Sequence, residues 1–234
     1  MRIGEKCIFT VDMAIKYGNC NLKPNHRYTG HFYGEKTVVY KGMRLTANTV
    51  ESIKKPMVKK EKAPTASDYK NFSDLCFEVA IRFRDNWTSV ISGKKFEEGD
   101  WNGLQAGHGV SRQHWATRHN PLNCHAITSG ENFHMSIGTT TIIAKYWAYV
   151  TQKYGEKVVD ELVNNNESPK LSISYLKEDC FKCRNFLYFT LLEYAIKNNK
   201  RIDPEEVIKW RCESFTKKKT DGIMKVLKIV KGEM

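Results

Sequence analysis

The sequence predicts an α+β protein, and three features of the 234-residue chain indicate this class. Residues 1–51 contain short clusters of β-branched and aromatic residues, such as Thr37 to Tyr40, separated by turn formers, which predicts a β-rich N-terminal segment. Residues 87–130 alternate short apolar pieces with turn signals, which favours a compact hairpin-like region. Apolar residues recur at helical spacing before and after that region, so helices should flank it.

The first predicted helix starts near Thr65 or Ser67, because either side chain can cap a helix and Asp68 then falls in its first turn. The helix should end near Arg84–Asp85. Its buried face is predicted to consist of the apolar residues at helical spacing: Tyr69, Phe72, Leu75, Cys76, Val79, Ala80 and Phe83.

The later helices are predicted from the same periodicity and from glycine and proline signals. One helix should run from about Asn132 to Lys153, with Tyr154–Gly155 at its end. Further helical segments are predicted over 158–163, over 175–197, from Pro204 to Trp210, and in the basic, amphipathic tail 217–234.

Composition divides the chain into four segments. Residues 52–64 are rich in lysine and contain two prolines, which is typical of a solvated linker or a basic arm. The predicted segments are therefore a β-rich part over 1–51, a basic linker over 52–64, a central module over 65–165 and a helical C-terminal region over 166–234.

The charge of the chain indicates the kind of partner that it binds. There are 38 Lys and Arg residues against 26 Asp and Glu residues, so the formal net charge is +12. Such an excess favours polyanions, and nucleic acid is the leading candidate. In the linker, Lys54, Lys55, Lys59 and Lys60 are predicted to contact the DNA backbone, although a solvated linker without a ligand has the same composition.

Other classes are excluded by the pattern of apolar residues and cysteines. The longest apolar runs are far shorter than the ~20 residues that span a bilayer, so we expect no membrane segment. The N-terminus lacks the pattern of a secretory signal, and seven scattered cysteines do not form a disulfide framework, so we expect a cytoplasmic protein with free thiols. The single CxxC pair, Cys180 and Cys183, lies on a helical stripe and is predicted to be part of the core.

The residues with chemical potential are concentrated between Gln105 and Asn132. This stretch holds four histidines, three asparagines and two arginines within 28 residues. Side chains of these types can position a divalent ion, activate water and bind phosphate. The stretch therefore favours metal-assisted hydrolysis of a phosphodiester.

The same stretch resembles a known family. Its residues Ala106-Gly107-His108, Ser111-Arg112, Ala116-Thr117-Arg118, Asn123, His125-Ala126 and Asn132, with Lys153-Tyr154-Gly155 and Val159 to Leu162 further on, are similar to the phage recombination proteins of the lambda NinG (Rap) family. The resemblance covers roughly residues 72–163. It implies an HNH-type (ββα-metal) nuclease module that uses one Mg²⁺ or Mn²⁺ ion to cut branched DNA, such as recombination intermediates, in the cytoplasm of the phage's host.

The resemblance also implies residue roles. His108 is similar to the histidine that takes a proton from the attacking water, Asn123 to the asparagine that braces the loop, and Asn132 to a metal ligand on the helix. An imidazole with a pKa near 6.5 can act as a base at neutral pH. Arg112 and Arg118 could hold phosphate oxygens through their fork of donors.

The chain departs from the family pattern at two places. Two CxxC pairs usually hold a structural zinc, but here the aligned positions are Ser89, Ser92, Thr128 and Glu131, so we expect no structural zinc and either ordinary packing or a looser module.

Many HNH enzymes also have an acidic metal ligand directly before the histidine, where this chain has Gly107. His108 could then be a metal ligand, with His125 or His134 completing the site.

Three functions stay open on the sequence alone. The first is a nuclease for branched DNA, acting as a homodimer because a junction has two strands to nick. The second is a DNA-binding recombination accessory protein that has lost the catalytic step, which the two departures favour. The third is an HNH nuclease acting on ordinary duplex DNA or RNA.

Overall fold

The structure is a computed structural model that describes residues 6–11, 15–17, 20–23, 26–34, 36–41, 43–47, 49–52, 62–165 and 169–232. It contains both helices and small antiparallel sheets, which confirms the α+β class. The chain divides into two compact units, Met1–Lys62 and Ala63–Met234. Lys54, Lys55, Lys59 and Lys60 lie outside the described residues. Among the described helices, none combines the length and the apolarity that crossing a membrane requires.

The N-terminal unit is built from strands, as its sequence predicts. The strands are β1 (Lys6–Thr10), β2 (Ile15–Tyr17), β3 (Cys20–Leu22), β4 (Tyr28–Gly34), β5 (Thr37–Tyr40), β6 (Met43–Thr46) and β7 (Thr49–Ser52). Five of them form an antiparallel sheet in the order β6-β5-β4-β1-β7, and β2 pairs with β3. Apolar side chains that include Phe9, Leu22 and Val38 form its core.

Helix α1 (Ala66–Arg84) begins and ends where the sequence predicts. Thr65 caps it: the Thr65 hydroxyl accepts the Asp68 backbone N–H, and the Asp68 carboxylate accepts the Thr65 backbone N–H at 2.8 Å. This reciprocal capping box satisfies two backbone donors that would otherwise lack helical partners. The predicted apolar face is buried.

A two-stranded hairpin and a helix follow α1. Strand β8 (Leu104–His108) pairs antiparallel with β9 (Cys124–Thr128), and the register places His108 opposite Cys124. The connection between them contains the short helix α2 (Trp115–Arg118). Helix α3 (Ser129–Ser136) starts directly after β9, with Thr128 as its capping residue. Helix α3 is thus a direct continuation of the second strand of the hairpin.

The predicted helix over 132–153 is two helices in the structure, so that prediction was wrong. Helix α3 ends at Ser136, and α4 (Thr140–Tyr154) starts after a turn in which Gly138 has φ of +81°. A left-handed residue favours glycine and breaks the helix at that point. The remaining helices confirm their predictions to within a few residues: α5 (Glu156–Asn164), α6 (Ile173–Asn198), α7 (Pro204–Cys212) and α8 (Lys217–Val230).

The C-terminal helices share one core with α1. Residues such as Phe72, Cys76, Leu187 and Ile223 belong to a single buried apolar cluster. The structure therefore does not separate residues 166–234 from the central module as the sequence division does, because α6 and α8 cover the apolar face of α1. Cys180 and Cys183 are both buried, as predicted.

The last turn of α1 holds the hairpin through two arginines. Arg82 is buried, and its Nε donates to the Leu104 carbonyl at the start of β8 at 2.8 Å. Arg84 donates to the carbonyls of Pro121 at 2.7 Å and Cys124 at 2.8 Å, just before and at the start of β9. Each arginine thus fixes the entry to one strand of the hairpin.

Asp85 completes this anchor. Its carboxylate accepts two hydrogen bonds from Arg84 at 2.8 Å each, and it also accepts the Ala126 backbone N–H in β9 at 2.8 Å. Burial favours the neutral acid, but the neighbouring His125 and Arg84 side chains outweigh it and lower the pKa of Asp85 to about 2. The charged carboxylate therefore stabilises the fold.

We expect this carboxylate to give the protein an acid-sensitive stability. Because its pKa is depressed in the folded state, its contribution is full above the unfolded pKa of 3.8 and is lost as the pH falls through about 2. The shift corresponds to about 2 kcal/mol in the free energy of unfolding. Urea unfolding of wild type and Asp85→Asn at several pH values should show a stability difference that shrinks by about this amount between pH 6 and pH 2. Asp160→Asn, at an exposed position, is the control. A pH-independent difference would contradict the assignment.

Candidate active site

A cavity of about 530 Å³ opens where β8 ends and α3 passes. It brings together three of the predicted site residues, His108, Arg112 and Asn132. The full lining is Gln105, Ala106, His108, Gly109, Ser111, Arg112, Asn132, Met135, Ser136 and Ile143. An imidazole and a carboxamide that are 24 positions apart therefore face one space.

The His108 ring is held in one tautomer. Its Nε2 lies 2.9 Å from the backbone carbonyl oxygen of Arg118, and since a carbonyl only accepts, the proton is on Nε2. Nδ1 then carries the lone pair and accepts a weak hydrogen bond from the Cys124 thiol, whose Sγ lies at 3.7 Å. Burial lowers the pKa of His108 to about 4, although the bond to Arg118 opposes this. The imidazole is neutral at pH 7 and can accept a proton at Nδ1.

Asn123 ties together the loop that surrounds His108. Its Nδ2 donates to the carbonyls of Val110 at 2.9 Å and Thr117 at 3.1 Å, and its Oδ1 accepts the Val110 N–H at 2.7 Å. The side chain is fully buried. The bridged segment leads to the Arg118 carbonyl, which His108 contacts, so the bonds of Asn123 bear on the position of that carbonyl.

Asn132 lines the cavity, and one hydrogen bond orients its carboxamide. Its Nδ2 donates to Gln105 Oε1 at 2.7 Å, which leaves Oδ1 as the free end of the carboxamide. That Oδ1 would lie 3.4 Å from a Cβ added to Gly107. The same Cβ would lie 2.1 Å from the Ile127 Cδ1 atom, so a larger residue at 107 requires the Ile127 side chain to move.

The donors in the cavity fit a divalent cation only weakly. They are carboxamide and hydroxyl oxygens and one imidazole, and the lining residues include no carboxylate. Mg²⁺ is a hard cation that keeps several waters and is usually held by carboxylates together with substrate phosphates. The residues present can hold such an ion through Asn132, but the negative charge must come from a bound phosphate.

The two arginines have different environments. Arg112 is exposed at the rim of the cavity, where it can reach a phosphate. Arg118 is only 5% exposed, and its guanidinium donates to both oxygens of Asp74 at 2.8 and 2.7 Å and to the carbonyl of Arg112. The expected phosphate contact of Arg118 is therefore not supported, because its donors are used inside the protein.

The additional histidines do not complete a metal site in the cavity. His125 is fully buried, its Nδ1 lies 2.7 Å from Arg84 Nη2 and 3.8 Å from Asp85 Oδ2, and its ring stacks on Tyr154. His134 is exposed on α3, with Nδ1 3.4 Å from the Thr139 hydroxyl. Neither residue lines the cavity, so the structure does not support the ligand set of His108 with His125 or His134.

The four positions aligned with zinc ligands lie together and form hydrogen bonds. The Ser89 hydroxyl donates to Glu131 Oε2 at 2.6 Å, and the Thr128 backbone N–H donates to the same oxygen at 2.7 Å. The Ser92 backbone N–H donates to the Ser89 hydroxyl at 3.3 Å. Although partial burial raises the pKa of Glu131, the bonds from Ser89, Thr128 and Ser92 lower it overall. A polar network thus joins the two turns that a zinc ion would otherwise join.

A further histidine, His119, lies between two carboxylates. The His119 Nε2 lies 2.9 Å from Asp74 Oδ1, and its Nδ1 lies 3.0 Å from Asp179. The partners are 45 and 60 positions away along the chain, so no local pattern could have indicated them.

Comparison with known proteins identifies the family. The sequence model of the family described as Bacteriophage Lambda NinG protein matches residues 41–190. The match covers more than half of the chain, and the chain therefore belongs to the NinG family. No curated protein and no solved structure gives a significant match.

The bracing role of Asn123 can be tested through stability. We expect Asn123→Ala to lower the free energy of unfolding by about 3 kcal/mol, because three backbone groups, one of them in a fully buried bond, lose their partner. Asn102→Ala, at an exposed position, is the matched control and should change little. Urea denaturation measures both; an equal effect of the two substitutions would contradict the bracing role.

The convergence of the two turns can be tested by installing thiols. A variant with Ser89→Cys, Ser92→Cys, Thr128→Cys and Glu131→Cys should bind one Zn²⁺ in a tetrahedral site of four sulfurs. Its melting temperature should then rise with zinc and fall with a chelator. A three-cysteine variant that retains Glu131 is the control. If the four-cysteine variant binds zinc no more tightly than the control, the two turns do not bring the four side chains together as the structure indicates.

Proposed function

We propose that the protein is a metal-dependent endonuclease of the HNH type that hydrolyses phosphodiester bonds in branched DNA. The observation that carries the proposal is the neutral imidazole of His108, fixed by the Arg118 carbonyl and facing the same cavity as Asn132. The succession of β8, β9 and α3 supports it, because an HNH module has two strands followed by a helix. Membership of the NinG family supports the phage context.

In the proposed reaction His108 is the general base. Its Nδ1, in place of its weak bond to the Cys124 thiol, takes a proton from a water molecule whose oxygen attacks the phosphorus, and the P–O bond to the leaving oxygen breaks. The Nε2–H stays bonded to the Arg118 carbonyl as the ring becomes positive. Asn123 keeps the loop and therefore this carbonyl in place. A base that is already neutral at pH 7 loses no population to protonation.

Binding of the DNA is proposed to use positive charge around the cavity. Arg112 at the rim can donate to a nonbridging oxygen of the scissile phosphate. Asn132 would hold the Mg²⁺ or Mn²⁺ ion, which when bound supplies charge stabilisation for the leaving oxygen. The net charge of +12 favours the association of the whole chain with a polyanion.

A second candidate function is a DNA-binding accessory protein without catalysis. The lack of a carboxylate among the cavity residues favours it, because the ion would be held by neutral oxygens. The depressed pKa of His108 favours it as well, since a less basic imidazole is a weaker proton acceptor. This candidate predicts salt-sensitive DNA binding without metal-dependent cleavage.

Cleavage assays distinguish the two functions. The purified protein with Mg²⁺ or Mn²⁺ should cut a labelled four-way junction faster than a linear duplex or an RNA of the same sequence. His108→Ala should lower the rate about 100-fold or more, because the general base is lost. His114→Ala, an exposed histidine of the same loop, should cut normally. No cleavage by wild type, with binding intact, would favour the accessory function.

The pH dependence of cleavage tests the protonation state of His108, the proposed general base. Because His108 must be unprotonated and burial lowers its pKa to about 4, kcat/KM should fall only as the pH drops towards 4. Between pH 6 and 8, titration of His108 should leave kcat/KM unchanged. An acidic limb at pH 6.5 or above that disappears in His108→Ala would contradict the buried, neutral imidazole.

A further inference from the structure

Three side chains with metal-binding atoms meet on the side of α2 that faces α6. They are His119, which follows α2, and Asp179 and Cys183, one turn apart on α6. One ligand atom from each lies within 4.8 Å of the others. Because a tetrahedral zinc with bonds of about 2.0–2.3 Å separates its ligand atoms by about 3.3–3.8 Å, a small closure would form a site.

The second nitrogen of His119 is already oriented. Its Nε2 donates to Asp74 Oδ1 on α1 at 2.9 Å, which directs Nδ1 towards α6. Histidines that bind metals commonly donate their other ring nitrogen to a carboxylate in this way. Burial opposes a charge on this ring, but the two carboxylates outweigh it and raise the pKa of His119. Nδ1 lies 3.0 Å from Asp179 Oδ1 and is therefore directed at the position that an ion would take.

A second observation indicates that the cluster is incomplete without a ligand. The Nδ1 atom makes its hydrogen bond to Asp179 Oδ1 at 3.0 Å. The buried Asp179 Oδ2 also lies 3.0 Å from Nδ1 within the same ion pair, but it has no hydrogen bond of its own among the described residues. A buried carboxylate oxygen without a donor is costly. The Cys183 Sγ, 4.0 Å from Asp179 Oδ1, is a soft donor on the same side.

The cluster is also open on one side. A pocket of about 180 Å³ reaches it, with His119 and Asp179 in its wall together with Trp115 and Tyr175. This volume admits several waters, one of which can be a fourth ligand. We propose that His119 Nδ1, the Asp179 carboxylate and Cys183 Sγ bind one Zn²⁺ ion, with Asp74 as the carboxylate that orients His119.

The ligand types select the metal. One nitrogen, one carboxylate oxygen and one thiolate form a set that suits zinc, whereas Mg²⁺ and Mn²⁺ require oxygen ligands. Zn²⁺ replaces the proton on Nδ1 and the proton on Sγ, both of which are released to solvent. The ion would link α6 to His119. The preceding residue, Arg118, provides the carbonyl that orients His108.

Cobalt is the probe for this site, because a cobalt–thiolate bond gives a charge-transfer absorption that no other ligand of the set produces. The full-length, reduced protein should bind one Co²⁺ with this band, and Zn²⁺ should displace it. Cys183→Ser should abolish the band, and His119→Gln should lower the Co²⁺ affinity at least tenfold. Cys212→Ser removes a buried thiol of α7 outside the cluster and should leave the band unchanged.

The outcomes separate a metal site from an ion-paired histidine. If Cys183→Ser misfolds by circular dichroism, Asp179→Asn tests the same site with a conservative change and should weaken Co²⁺ binding at least tenfold. X-ray absorption at the zinc edge should show one sulfur with nitrogen and oxygen neighbours. Absence of the thiolate band in wild type, or a band of unchanged intensity in Cys183→Ser, would overturn the proposal and leave His119 as an ion-pair bridge.

Discussion

The attachment of the hairpin β8–β9 to the last turn of α1 is the constraint on which the rest of the unit Ala63–Met234 depends. Arg82 holds the start of β8, and Arg84 with Asp85 holds β9 and the residues before it. These charged groups are largely buried, so each must keep its partners, and breaking one would leave an uncompensated charge. The hairpin is therefore fixed relative to a helix whose own position is set by α6 and α8.

The attached hairpin positions the residues of the candidate site through backbone hydrogen bonds. With β9 fixed, the buried Asn123 bridges Val110 and Thr117. The loop that it bridges places the Arg118 carbonyl next to His108. Where the family resemblance implies zinc, a network around Glu131 joins the same two turns, so the loss of cysteines does not require a looser module. Where the resemblance implies an acidic ligand, the chain has Gly107, and the residues that line the cavity offer only neutral oxygens. In the proposed function, the negative charge around the ion would therefore come from the substrate.

Local signals predicted much of this fold, and long-range pairings account for what they missed. The bounds of α1 follow from a capping box and an apolar stripe, and both patterns involve residues that are close together in the sequence. The burial of Arg118 could not be predicted, because it depends on Asp74, 44 positions earlier. The same holds for His119, whose carboxylate partners come from α1 and α6. The turn at Gly138 was missed because apolar residues continue on both sides of it.

The central proposal is that the cavity lined by His108 and Asn132 binds the scissile phosphate, with Asn132 holding the cation and His108 acting as the base. Anomalous scattering from crystals grown with Mn²⁺ and a junction DNA that carries an uncleavable phosphate linkage tests it most directly. The account predicts a Mn²⁺ peak about 2.1 Å from Asn132 Oδ1, on the side of the cavity that His108 faces, with phosphate oxygens completing its shell. A peak bound elsewhere on the protein, or DNA seated in the cavity without an ion, would contradict it.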